Sequence, residues 1–282
     1  MTTYKDIRGT HIVTVASDPP APVNGQVWYN STDQVMKGLT ANPVGSWASG
    51  GNLNTARGVG EGAGNKTAAL VIGGKTPPGS AVALVESWDG SSWTEVNDLN
   101  TERGEAGAAG TQTSALAFGG KNTDMIGNTE SWAGSSWTEV NDLNTTRGVS
   151  GGNAGANNTS ALAFGGRTPP NTRVTNTESW NGSSWTEVND LNTARTGLGG
   201  AGIVTAALAY GGGLPANTAV TESWNGSSWT EVNDLNTARD EGGANGEYTS
   251  ALWYGGPSST PHLGNTESWN GTSWSETGDL ST

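Results

Sequence analysis

The chain has 282 residues, 44 of them Gly and 13 Trp, with no Cys and a formal net charge of -13. The length accommodates a buried core, and the lack of Cys excludes a disulfide framework, a thiolate metal site and a cysteine nucleophile. The negative balance argues against a nucleic-acid partner, because phosphates call for a cationic face.

The opening stretch MTTYKDIRGTHIVTV lacks the charged start and long apolar core of a secretory signal. No run approaches the ~18 apolar residues of a membrane span. The expectation is a soluble chain with no export tag and no membrane insertion. Candidate strands follow at His11–Val15, Gly25–Asn30 and Gln34–Thr40.

From Trp47 onward the sequence repeats itself. The phrase WNGSSWTEVNDLNTAR and its variants place a Trp at positions 47, 93, 137, 185, 229 and 274, a period of 44 to 48 residues. Between these lie a Gly- and Ala-rich segment, an apolar run ending in Gly-Gly (ALAFGG at Gly119 and Gly165) and a TESW segment. Each unit reads as four short strands, and no stretch keeps a helical period. Asn-Gly between the third and fourth strands marks a hairpin, with a type I′ turn expected. Gly and Ala suit crowded strands near an axis, small apolar second strands suit packing between units, and the Trp pair suits the roomier outside.

A four-stranded unit of this length, repeated, predicts an all-β chain forming a β-propeller. Six fourth-strand phrases stand against five clear sets of the other three strands. Since an unpaired strand leaves backbone donors unsatisfied, residues 1–45 are read as a divergent first blade, giving six blades. The alternative is a ring of five, with an N-terminal hairpin as an anchor on a larger particle. Residues 46–282 form the propeller in both cases.

Catalytic material is scarce. His11 and His262 are the two histidines, and neither belongs to the repeat. Carboxylate pairs such as Glu178 with Glu187 recur in every blade, whereas a single active site breaks the symmetry. GEGAGNKT at Gly60 has Asn65 where a phosphate loop needs Gly. Asn-Asp-Leu-Asn lacks the spaced ligands of a calcium loop. Ser87 to Trp93 approaches the Asp box of sialidase-type propellers, with Gly one position early. No cofactor and no enzymatic activity are expected.

The Gly-Gly run, the acidic-aromatic strand, the Trp and the Leu-x-x-x-Arg link together resemble the kelch repeat, over Trp47 to Thr282, with Glu-Ser-Trp in place of the usual Tyr-Asp strand. The resemblance implies that Arg57, Arg103, Arg147, Arg195 and Arg239 are joints between blades and not an anion-binding ring. It also raises the copper oxidases of kelch type, which the lack of Cys excludes. The close similarity among copies and the phrase DPPAPVNGQVWYNSTDQVMKGL resemble bacteriophage tail-fibre and other virion proteins, marine ones especially. That resemblance implies a virion location, assembly in the host cytoplasm, other virion proteins as partners and a trimeric homo-oligomer.

Function is expected where the copies disagree. The loops between second and third strands vary in sequence and length, 10 to 12 residues from the second Gly to the next Glu, and alternating strand direction puts them on one face. Loops on a rigid scaffold carry binding function. The candidate ligand residues are Lys75, Lys121, Asn122, Arg167, Asn171, Arg173, Asn217 and His262, suited to a host-surface glycan or protein. A glycan-active propeller enzyme and a kelch-type protein-interaction scaffold are the alternatives.

Overall fold

The computed structural model describes residues 13–15, 27–32, 35–38, 47–149, 151–213, 215–257 and 264–280. The chain divides into two compact units, Met1–Gly45 and Ser46–Thr282. In the first, Val13–Val15, Val27–Asn30 and Val35–Gly38 form one sheet in that order. Its first pair is parallel and its second antiparallel. A blade is an antiparallel meander, and a parallel pair needs the chain to return to its starting end. This sheet is therefore not a sixth blade.

The described residues of the second unit form a β-propeller of five four-stranded blades. From the axis outward, blade one runs Glu61–Asn65, Ala68–Ile72, Val85–Trp88 and Trp93–Glu95. Blade two runs Gly107–Thr111, Ser114–Phe118, Thr129–Trp132 and Trp137–Val140. Blade three runs Asn153–Asn157, Ser160–Phe164, Thr177–Trp180 and Trp185–Val188. Blade four runs Gly199–Ile203, Ala206–Tyr210, Thr221–Trp224 and Trp229–Glu231. Blade five runs Gly243–Glu247, Ser250–Tyr254, Thr266–Trp269 and Trp274–Thr277. The six-blade expectation is corrected to five. No helix occurs among the described residues, so none is long and apolar enough to cross a membrane.

The core lies between blades, and the alternation of the second strand builds it. Successive side chains of a strand point to opposite faces. In Ser-Ala-Leu-Ala-Phe, Leu116 and Phe118 therefore pack forward onto Ala161 and Ala163 of blade three, while Ala115 and Ala117 receive Leu70 and Ile72 of blade one. Large meets small at the joints of blades one to four, which lets the side chains interdigitate, whereas Tyr210 of blade four meets Trp253 of blade five edge-on. The last aromatic of each run then meets the outer Trp of the next blade: Phe118 with Trp185 at 4.8 Å, Phe164 with Trp229 at 5.0 Å, Tyr210 with Trp274 at 4.8 Å. The Gly pair that ends the run is required by its backbone, as at Gly119 and Gly120, with φ of 61° and 111°.

The third-to-fourth strand hairpins are present, but not as type I′ turns. Trp180 pairs with Trp185, which leaves a four-residue loop in which Gly182 has positive φ and Asn181 does not. The Asn181 side-chain oxygen accepts from the amides of Ser183 and Ser184, both at 2.9 Å. Asp89 does the same in blade one; the Ser91 hydroxyl and the Ser92 and Ser91 amides hold its carboxyl at about 2. The near-match to an Asp box is thus a turn cap.

Every conserved letter of the link is engaged. In blade two, Asp142 accepts from the Thr129 amide at 3.1 Å, Asn141 donates to the Ser183 carbonyl at 2.7 Å, and Leu143 is buried. The link before it, from blade one, grips Glu130. The Asn100 amide and side chain donate to that carboxylate at 2.7 and 2.8 Å, the Thr101 amide at 3.1 Å and Arg103 at 2.6 Å. Arg57–Glu86, Arg147–Glu178, Arg195–Glu222 and Arg239–Glu267 repeat the pair, all with fully or almost fully buried side chains. Burial lowers the Arg195 guanidinium to about 10, with the charge of Glu222 opposing.

Trp47 closes the circle. Its indole nitrogen donates to Thr266 at 3.1 Å and its ring lies 4.9 Å from Tyr254, both of blade five. The Asn54, Thr55 and Arg57 groups that follow grip Glu86 of blade one. A single Trp and its link thus span from blade five to blade one.

Candidate functional site on the variable-loop face

The loops between second and third strands fold back on the links beneath them. Lys75 pairs with Gly58, Lys121 with Gly104, Arg167 with Gly148 and Gly213 with Thr196, each as a backbone bridge. In blades one and three the loops form small hairpins, Lys75–Thr76 with Ser80–Ala81 and Arg167–Thr168 with Thr172–Arg173. The loops are therefore built onto the scaffold.

Two of the candidate cations are already neutralised. Lys75 of blade one and Arg167 of blade three converge on Glu105, which leads into blade two; the Lys75 ammonium lies 2.6 Å from the carboxylate and Arg167 binds its other oxygen. Burial pushes the Glu105 carboxyl up, but the hydrogen bonds from Arg167 and Lys75 outweigh it and hold it below its usual range. Asn171 joins this group by accepting from Arg167 at 3.1 Å.

The remaining candidates are dispersed. Lys121 is half-buried, and the side-chain oxygen of Asn122 caps the Asp124 amide at 3.1 Å. Asn217 donates to the Pro257 carbonyl at 2.7 Å. Burial raises the neighbouring Asp240 carboxyl, against the opposing Asn217 hydrogen bond and the charge of Arg173, which is itself exposed. His262 lies outside the described residues. Glu178 is wholly enclosed in its joint, so its pairing with Glu187 leaves one carboxylate inaccessible.

At the centre of the same face is a constellation that the loop comparison missed. The inner strands begin around a cavity of ≈ 340 Å³ whose wall includes Glu61, Asn153, Glu241 and Tyr254. Glu61 accepts hydrogen bonds from the Gly151 amide and the Asn153 side chain, yet burial pushes its carboxyl up to about 8. Below it the axis narrows to ≈ 100 Å³ between Gly and Ala residues of all five inner strands. A signal was present in the repeats: the inner strands begin on Glu61 and Asn153 in blades one and three but on Gly107, Gly199 and Gly243 in the others, with blade three one register position out of step.

The chain matches no known family model and no curated protein.

Proposed function

We propose that this protein is a non-enzymatic display scaffold, a kelch-like propeller acting as a tail-fibre or decoration component of a phage particle and holding its variable face toward a glycan on the host surface. One observation carries the display reading. The residues that the copies share are engaged in the frame, as the grip on Glu130 and the Thr129–Asp142 cap illustrate, and the variation in loop length falls on one face. The repeated Arg–Glu pairs are consumed in joints, which leaves no ring of free guanidinium groups for anions. The virion setting, the virion partners and a trimeric state rest on the likeness of the N-terminal phrase and of the near-identical copies to phage structural proteins.

Purified protein on a glycan array, with products assayed after incubation, tests the binding reading. Retention of a glycan without turnover supports it. Cleavage of the bound glycan would replace it with the enzyme reading, for which Glu61 and Glu241 supply the accessible carboxyl groups on the cavity wall. Immunolabelling of purified particles tests the virion setting, and absence of label would overturn it.

A further inference from the structure

We infer that the axial cavity on the variable-loop face is a binding site for a single uncharged sugar residue, held by Glu61 and Asn153 and walled by Tyr254. This deepens the glycan-binding reading above and rests on it. Apart from Asn153 and Asn245, the residues lining the narrow axis are Gly and Ala, because five backbones crowd it. Glu61 and Asn153 break that pattern at neighbouring register positions of two different blades, Glu61 opposite Ile72 and Asn153 opposite Ala163, and both line the cavity. As frame residues they are superfluous, since Gly107, Gly199 and Gly243 fill the place of Glu61 in other blades, and Gly62, Ala108, Gly200 and Ala244 fill that of Asn153.

The chemistry of the wall selects the ligand. Glu61 and Asn153 each offer both donors and acceptors, because burial keeps the Glu61 carboxyl protonated near neutral pH. That pairing suits vicinal hydroxyl groups. The half-buried Gly151 and Gly243 present backbone to the cavity, and Tyr254 lines the wall beside them. No Lys, Arg or His lines the cavity, whereas Glu241 does, so an acidic sugar finds no counterion. The titratable groups on the wall are Glu61 of blade one and Glu241 and Tyr254 of blade five; the wall residues from blades three and four include none. The volume is within the range of small-ligand sites.

The test is titration of the whole protein with galactose, glucose, mannose and N-acetylglucosamine, and in parallel with glucuronic acid and glucosamine, followed by calorimetry or ligand-observed NMR. Glu61→Gly and Asn153→Gly install the residue of the sister blades, and Glu61→Gln keeps the shape of the side chain; melting curves confirm that each is folded. Glu187→Ala, at an exposed position of the outer strand Trp185–Val188, serves as the control. The expected result is saturable binding of at least one neutral sugar, weakened at least tenfold by Glu61→Gly and Asn153→Gly and unchanged by Glu187→Ala. Preference for the acidic or the amino sugar overturns the ligand class. If array glycans bind but the Glu61 and Asn153 variants bind them equally well, the cavity proposal falls and the adhesion reading stands. If no glycan binds at all, both fall.

Discussion

The indole nitrogens of Trp185, Trp229 and Trp274 donate to Thr129, Thr177 and Thr221 of the preceding blade, at 2.9, 3.1 and 3.1 Å. The Trp137 indole is equally buried and has no partner, because position 85 of the preceding blade is Val. A buried donor without an acceptor carries its desolvation cost uncompensated. Val85→Thr supplies the missing hydroxyl in a setting that the other blades already tolerate, and should raise stability by about 1 kcal/mol. A urea midpoint that stays put or falls would show that the hydroxyl does not reach Trp137. Glu61 gives a second expectation at this scale. Its folded value of about 8 lies above the ordinary 4.5, so the native state keeps a proton that the unfolded chain releases. Its contribution is therefore fully present below about 4.5 and is lost as pH rises through about 8. Melting temperatures across that window should decline in the wild type relative to Glu61→Gln; parallel profiles would place Glu61 in water.

The link and the third strand it grips act as one element. Glu178 receives Arg147, the Asn144 amide and side chain and the Thr145 amide, with both charged side chains fully buried. Glu187 lies directly across the strand pair from it but is exposed and bonds Asn176 at 2.6 Å. Removing one member of a buried pair leaves the other uncompensated, so Glu178→Ala should cost about 3–5 kcal/mol. Glu187→Ala should stay within about 0.5 kcal/mol. Equal denaturation midpoints for the two variants would refute the joint. The four-strand order of each blade, the hairpin before each outer Trp and the structural use of the Arg residues were all legible in the repeated phrase. The turn type was not, because Asn181 answers the turn through its side chain instead of its own φ angle.

Over the whole propeller, the joints are unequal. Apolar clusters unite blades one and two, two and three, three and four, and four and five. Between blades five and one the described contacts are those of Trp47 and its link. The consequence is visible in burial: Leu252 and Tyr254 are half-buried, where Leu116, Phe118, Leu208 and Tyr210 are enclosed. On the other side Ala69, Val71, Trp88 and Trp93 are half-buried, where Ala115, Ala117, Trp132 and Trp137 are enclosed. Local opening begins where buried apolar contacts are few. Hydrogen exchange should therefore release the second-strand amides of blades one and five ahead of those of blades two to four. Uniform protection around the ring would contradict a weak seam.

The sequence by itself determined the blade, because a repeated phrase imposes the same strand order and the same joint wherever it occurs. It also marked one face as variable. Tertiary structure alone decided how the ring ends and which charged groups are free. Blade number depends on whether residues outside the repeat pair as a meander, and Val13–Val15 pairs in parallel with Val27–Asn30. Lys75 and Arg167 looked available as loop cations, but Glu105 from a third blade lies between them and takes both. Residues separated by 30 and 62 positions meet only after the ring has formed. The same holds for Glu61 and Asn153, which the curvature of the propeller alone brings to one cavity.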